Sequence, residues 1–284
     1  MVSLREAVGA ADEGAYALGH FNISDSNQFN AIVAAAKEAG MPVLVGVSEG
    51  EMAFLGRGAA VALARAARED GLPVFLNADH VRSLDSVSAA IDAGFDSVIF
   101  DGSHLPLEEN IRETRRAVEY ARKSGRDVLV EGELGQIGIS SKLLDAPPED
   151  MDEELTDPDT AARFVRETAV DLLAPAVGTM HGRLKSGASP ALDIPRIERV
   201  RDAAGVPLVL HGGSGSTDAD FREAARAGCA IIHVNTDIRI AYRAGIEEAL
   251  KAAPEEIAPY KFLAKGVEGV RAAAEKHIRL FAGR

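Results

Sequence analysis

The feature that most constrains this chain is a unit that recurs eight times: a short β-branched apolar run, a polar stop, then an amphipathic helical stretch. The runs are YALGHFN (16–22), PVLVGVS (42–48), PVFLNAD (73–79), SVIFDG (97–102), DVLVEGE (127–133), DLLAPAVG (171–178), VPLVLHG (206–212) and AIIHVNT (230–236). Between them lie helical patterns such as SNQFNAIVAAAKEAG (26–40), VSAAIDAG (87–94) and DFREAARAG (220–228). Several close in Ala-Gly, where glycine supplies the left-handed residue that ends a helix. Strands alternating with helices make a parallel sheet, and eight of them in 284 residues predict a closed (β/α)8 barrel, an α/β TIM barrel spanning 1–284 as a single domain. An open doubly wound sheet is the competing layout. It calls for a glycine fingerprint after the first strand, and NISDSNQ has none.

Composition removes several function classes. The formal net charge of −13 argues against nucleic acid as a partner, because phosphate backbones attract basic surfaces. It leaves room for a small phosphate ester, which main-chain N–H groups and a metal can bind inside an acidic protein. No apolar run reaches the length of a membrane span, and MVSLREAVGAADEG lacks a basic-then-apolar signal pattern, so no membrane contact and a cytoplasmic location are expected. The single cysteine, Cys229, has no partner for an internal disulfide and reads as a packing residue.

In such barrels the chemistry sits at the C-terminal ends of the strands. The residues closing the eight runs are Asn22, Ser48, Asp79-His80, Asp101, Glu131 with Glu133, His181, His211 and Asn235-Thr236. Each end carries a group that can coordinate, titrate or donate a hydrogen bond. His80, His181 and His211 follow the third, sixth and seventh runs. Three imidazoles at one mouth predict a divalent transition-metal site, most often zinc. His104 and His277 read as structural or surface residues, and the sequence leaves open whether His20 and His233 point into the barrel or outward. HGGSGS (211–216) and HVNTDI (233–238) each precede a helical pattern. Glycine-rich backbone at a helix N-terminus favours an anion, and loops after strands seven and eight form a common phosphate site in this fold. The polar stretch 134–159 follows a strand end and reads as an active-site loop.

NADH followed by AGFDSVIFDGSHLPLEENI, then VEGELGQIG, VGTMHG and LVLHGGSG, together resemble the class II, metal-dependent ketose-bisphosphate (fructose-bisphosphate) aldolases. The match runs in order from Phe21-Asn22 to Asn235-Thr236-Asp237. The resemblance implies reversible cleavage of a ketose (bis)phosphate such as fructose 1,6-bisphosphate into dihydroxyacetone phosphate and an aldehyde, glyceraldehyde 3-phosphate. It implies that His80, His181 and His211 hold Zn2+ or another divalent first-row metal, which stabilises the enediolate as a Lewis acid. Asp79 is then the general acid/base at the C4 hydroxyl. Glu133 is an alternative metal ligand and Asp101 supports a second cation site. Gly182, Gly212, Ser214, Asn235 and Thr236 match the triose-phosphate positions; Asn22 and Ser48 match the other end of the substrate. A monovalent cation (Na+ or K+) beside the phosphate and a homodimer or homotetramer are also implied. A Schiff-base route would need a lysine at a strand end, and none of the runs ends in one.

Some positions depart from the family pattern. Ile139-Ser140-Ser141 stand where a paired acidic segment supplies the base at the triose carbon, leaving Asp145, Glu149 and Asp150 as nearby acids. His233 replaces an asparagine that faces substrate, and His20 replaces a small residue. Tyr260 and Lys261 stand near the position of an arginine that reaches a distal phosphate, within a C-terminal helical extension at 258–284. These changes keep tagatose 1,6-bisphosphate and deoxy-keto sugar acid phosphates in view as substrates. They also keep a non-catalytic sugar-phosphate binder in view. A barrel metallohydrolase would want a His-x-His pair on strand one and a carboxylate at strand eight, where this chain has GHFN and NTD.

Overall fold

The structure is a computed structural model that describes residues 2–137, 143–146, 155–186 and 190–284. Eight parallel strands close into a barrel in which each strand pairs with its sequence neighbours and the last pairs with the first. They are β1 (Leu18–Asn22), β2 (Val43–Ser48), β3 (Val74–Val81), β4 (Ser97–Phe100), β5 (Leu129–Leu134), β6 (Leu172–Pro175), β7 (Leu208–Leu210) and β8 (Cys229–His233). All eight expected runs therefore contain a strand. The sixth and seventh strands are shorter than their runs, so His181 and His211 sit on irregular backbone beyond the strand ends.

Helices α1 (Leu4–Glu13), α2 (Ser26–Ala39), α3 (Glu49–Leu55), α4 (Arg57–Glu69), α5 (Leu84–Ala93), α6 (Leu107–Lys123), α7 (Pro158–Thr168), α8 (Ile194–Ala204), α9 (Asp218–Arg226), α10 (Thr236–Ala252), α11 (Pro259–Phe262) and α12 (Ala264–Phe281) surround the barrel. Their ends follow local chemistry. Asp25, Ser83, Asp157 and Thr217 cap helix N-termini with side-chain oxygens. Gly40, Gly94 and Gly205 end helices in the left-handed conformation. The C-terminal helix α12 packs back on its own barrel, against α2, α10 and β1, burying Val270, Ala274, Ile278, Leu280 and Phe281. Among the described residues no helix is long and apolar enough to cross a membrane. Of the loop expected at 134–159, residues 138–142 and 147–154 lie outside the described residues, and with them Ile139, Ser140, Ser141, Glu149 and Asp150.

The period-two alternation of a strand decides what fills the barrel. Leu18, Leu44, Phe75, Ile99, Leu129, Leu172, Val209 and Ile231 form the apolar floor, closed from below by Leu4, Ala7, Val8 and Ala11 of α1. Two residues further along each strand come His20, Gly46, Asn77, Asp101, Glu131, Ala174, His211 and His233. Six of these eight carry polar side chains, all at most 2% exposed. The floor carries hydrophobic stability, at about 1.5–3 kcal/mol for each large side chain buried. The layer above is polar and buried, an arrangement that a protein tolerates only when its groups are hydrogen-bonded or bind something.

Candidate active site

Asp79 and His80 are consecutive, and strict alternation would turn one of them out of the barrel. The backbone resolves this locally. His80 has φ 50°, and the register between β3 and β4 shifts between Ala78 and Val81. A bulge of this kind re-aims a side chain. A left-handed φ on a non-glycine residue costs of order 1–3 kcal/mol and marks functional sites. Asp79 therefore stays on the inward face, Val81 returns to the core, and His80 swings to the mouth.

There it meets His181 and His211. Ring centroids lie 4.7 Å apart for His80 and His181, 4.9 Å for His80 and His211, and 5.7 Å for His181 and His211. Each pair of planes crosses at 74–82°. One nitrogen from each ring can converge within 4.8 Å of the others. His80 Nε2 and His211 Nδ1 face each other at 3.2 Å, and His181 Nε2 is buried with no hydrogen-bond partner among the described residues. Three edge-on imidazoles with nitrogens turned inward fit a divalent ion, so the expected ligand set is compatible with a metal.

The loops that bring these rings together depend on glycine. Gly212 has φ 65°, and a Cβ there would lie 2.6 Å from the Met180 carbonyl oxygen. The two histidine-bearing segments thus cross backbone to backbone. His181 is tied further by its N–H to the Ile137 carbonyl at 2.8 Å.

Carboxylates surround the outer ring nitrogens. Glu131 Oε1 lies 2.7 Å from His211 Nε2, fully buried, which fixes the ring so that Nδ1 faces its neighbours. Asp101 Oδ2 and Glu133 Oε2 each lie 3.4 Å from His80 Nδ1, and Asp101 is held by Arg82. Burial pushes the Glu131 and Glu133 carboxyls up to about 8. Burial, with His80 nearby, pulls His211 down to about 3, and burial likewise keeps His181 neutral, as a metal ligand must be. Burial also opposes charge on His80, but Asp79, Asp101 and Glu133 overcome it and raise the ring to about 10.

Asp79 is 2% exposed. Burial opposes its ionisation, yet the neighbouring His80 cation outweighs burial and holds its carboxyl well below the ordinary range. Its Oδ2 accepts from Asn22 Nδ2 at 2.8 Å; Oδ1 has no hydrogen-bond partner among the described residues. Beneath it, His20 and His233 both point into the barrel and stack face to face, 3.5 Å between centroids and 6° between planes. His233 also lies against His211 at 3.9 Å, and its Nδ1 is 3.6 Å from Asp79 Oδ1. Gly46 makes space for this stack: a Cβ there would stand 2.2 Å from His20 Cε1.

A cavity of about 380 Å3 opens above, lined by Asn22, Ser48, Glu49, Gly50, Asp79, His80, Arg82, His181, Asn235 and Arg239. A narrow cleft beside it is lined by His181, Gly182, Gly212, Ser214, His233, Asn235 and Thr236, at the N-terminus of α10. Every residue expected at the site thus lies around the three-histidine cluster, the cavity or the cleft. His104 is exposed and apart from it. His277 is buried against Phe221 and Phe281 beside Asp237. Asp145 is paired with Lys185 at 2.9 Å in the exposed loop, and no lysine among the described residues lines the cavity.

Two groups escape the reading by strand ends, whereas Glu131 is read with Glu133 at the end of the fifth run and lies one inward step below it. Glu51 is signalled by the capping-box spacing Ser48-x-x-Glu51. Arg239, in the first turn of α10, carries no local signal.

The family model described as "Fructose-bisphosphate aldolase class-II" matches residues 2–284. A fructose-bisphosphate aldolase of Geobacillus stearothermophilus is 38% identical over 291 aligned residues, covering 99% of this chain and 96% of that one. A probable fructose-bisphosphate aldolase of Bacillus subtilis is 37% identical, covering 95% and 94%. The crystal structure of the YdjI aldolase of Escherichia coli K12 superimposes with a TM-score of 0.83 at 32% identity, covering 99% of this chain and 97% of that one.

Proposed function

Because the chain belongs to the class II fructose-bisphosphate aldolase family, whose members are carbon–carbon lyases, we propose that it is a metal-dependent aldolase acting on a ketose (bis)phosphate such as fructose 1,6-bisphosphate. The products are dihydroxyacetone phosphate and an aldehyde, glyceraldehyde 3-phosphate. The observation that carries this reading is the set of three edge-on imidazoles with Asp79 beside them at the floor of the cavity.

His80, His181 and His211 would hold the ion, with Glu131 orienting His211 and with Asp101 and Glu133 at the far side of His80. A divalent first-row metal such as zinc, once bound, would polarise the ketone and adjacent hydroxyl oxygens as a Lewis acid. Asp79 Oδ1 takes the proton from the C4 hydroxyl as the C3–C4 bond breaks, and returns it in condensation. Asn22 holds the other oxygen of the same carboxylate. The cleft formed by Gly182, Gly212, Ser214, Asn235 and Thr236 receives the triose phosphate, with main-chain N–H groups at the start of α10 directed to it. Asn22 and Ser48 serve the remainder of the sugar, and His233 packs beneath the reacting carbons. Zinc, a monovalent cation beside the phosphate, a homodimer or homotetramer, and a cytoplasmic location belong to the same reading, supported by the family.

Cleavage of a panel of ketose phosphates, fructose and tagatose 1,6-bisphosphates and deoxy-keto sugar acid phosphates included, tests it with metal analysis of the same preparation. Cleavage lost with a chelator and restored by divalent metal is expected. Full activity of the metal-free protein, or of Asp79→Ala, refutes it.

A further inference from the structure

We propose that Glu51 is a positioning residue for Asp79, acting through Asn22, so that one carboxylate decides which oxygen of another is free for the substrate proton. This rests on the aldolase reading above. Glu51 is the third residue of α3 and closes a capping box with Ser48. Here it is only 8% exposed and takes four bonds. Oε2 accepts from Ser48 N at 2.9 Å, Ser48 Oγ at 2.8 Å and Asn22 Nδ2 at 2.8 Å. Oε1 accepts from Arg239 Nη2 at 2.7 Å.

The capping box needs only the bonds to Ser48. The other two are long-range, and together they make a chain: Arg239, Glu51, Asn22, Asp79. Its logic is one of donors and acceptors. An ionised carboxylate only accepts. Asn22 stands between two of them, Glu51 and Asp79, and donates Nδ2 to both. Turning the amide over would aim Oδ1 at both carboxylates. Glu51 therefore fixes the amide orientation, and the amide in turn occupies Asp79 Oδ2. Asp79 Oδ1 is left as the acceptor, with no hydrogen-bond partner among the described residues. Arg239 neutralises the outer end of the chain and closes the cavity wall.

Glu51→Gln isolates this role, because glutamine preserves a capping box while one arm of its side chain becomes a donor. The experiment uses the full-length, metal-loaded protein. It measures ketose-phosphate cleavage, metal content, Tm, and the exchange of dihydroxyacetone phosphate C3 protons with D2O by NMR. That exchange does not involve the C4 hydroxyl and so does not call on Asp79. Glu51→Gln is expected to lower the kcat of cleavage about 10–100-fold, the range for removing an orienting partner. KM, metal content, Tm and exchange should stay near wild type. Adding Glu51→Gln to Asn22→Ala should cost no more, since both act on one path. Wild-type cleavage by Glu51→Gln overturns the positioning role. So does loss of exchange in parallel with cleavage, or full additivity with Asn22→Ala. A wild-type protein that neither cleaves nor exchanges overturns the aldolase reading itself, a result distinct from these.

Discussion

Gly46→Ala puts the packing of the polar layer to a direct test. The new Cβ would lie 2.2 Å from His20 Cε1, 2.5 Å from His20 Nε2 and 2.6 Å from Asn22 Oδ1. Ordinary carbon–carbon contacts are about 3.5–4.0 Å, so the overlap with the imidazole exceeds 1 Å. Neither side can yield cheaply. His20 is fully buried, stacked at 3.5 Å on His233 and 3.3 Å from Asn77 Oδ1. Gly46 lies in β2, paired with Asn22 across the ladder, and its carbonyl accepts from Ile23 N at 3.0 Å. Overpacking a close-packed interior costs about 1–3 kcal/mol. At about 2–4 °C per kcal/mol, that is a fall in Tm of about 2–12 °C. Thermal unfolding followed by circular dichroism, with and without chelator, measures it. Activity should fall as well, because Asn22 is displaced from Asp79. In a His20→Ala background the ring is gone, and the added cost of Gly46→Ala should drop by at least half. An unchanged Tm in Gly46→Ala, or the same penalty with and without His20, refutes the claim that Gly46 exists to admit the imidazole stack.

Glu131→Gln, which weakens the 2.7 Å contact that orients His211, should reduce metal affinity about 10–100-fold in competition with a chromogenic chelator; unchanged affinity refutes the orienting role. In the metal-free protein His80 is raised to about 10, so near neutral pH it is protonated, whereas a ligand must be neutral. Metal uptake should then release about one proton from His80 and weaken as pH falls, seen as a calorimetric enthalpy that depends on the buffer's ionisation enthalpy; a buffer-independent enthalpy contradicts it. Cys229 is 1% exposed and burial pushes its thiol up to about 12, so the native protein should resist iodoacetamide at pH 8 and react once unfolded.

Most of the architecture was readable because two periodicities are local. The apolar runs and the Ala-Gly helix stops mark strands and helices within a few residues, and eight such units leave a closed barrel as the natural way to cover both faces of the sheet. The convergence of the three histidines was readable for a related reason. In a barrel every strand end arrives at one rim, so His80, His181 and His211 are brought together by topology although 101 and 30 residues separate them. What the run ends could not reveal lies one step lower. Whether His20 and His233 face inward depends on register, and a shift of one residue reverses every side chain. The pairing His20↔His233 puts both on one face, and the His20 ring filling the place of a side chain at Gly46 on the neighbouring strand shows that this face is inward.

The same distinction explains Asp79 and His80. Read as a strand, Asp-His gives one inward residue and one outward. Only the left-handed backbone at His80 and the bulge against β4 let both serve the mouth, and neither has a signature in the letters of the motif. Glu51 and Arg239 are further still from such legibility, since they are joined across 188 residues by a carboxylate that looks in sequence like an ordinary helix cap. A cap glutamate comes to serve a catalytic site only when the fold buries it against a cation and an amide, as Arg239 and Asn22 do here. Its burial, not its spacing, is therefore the property that distinguishes Glu51 from Glu6, which makes the same reciprocal cap with Ser3 in the exposed first turn of α1.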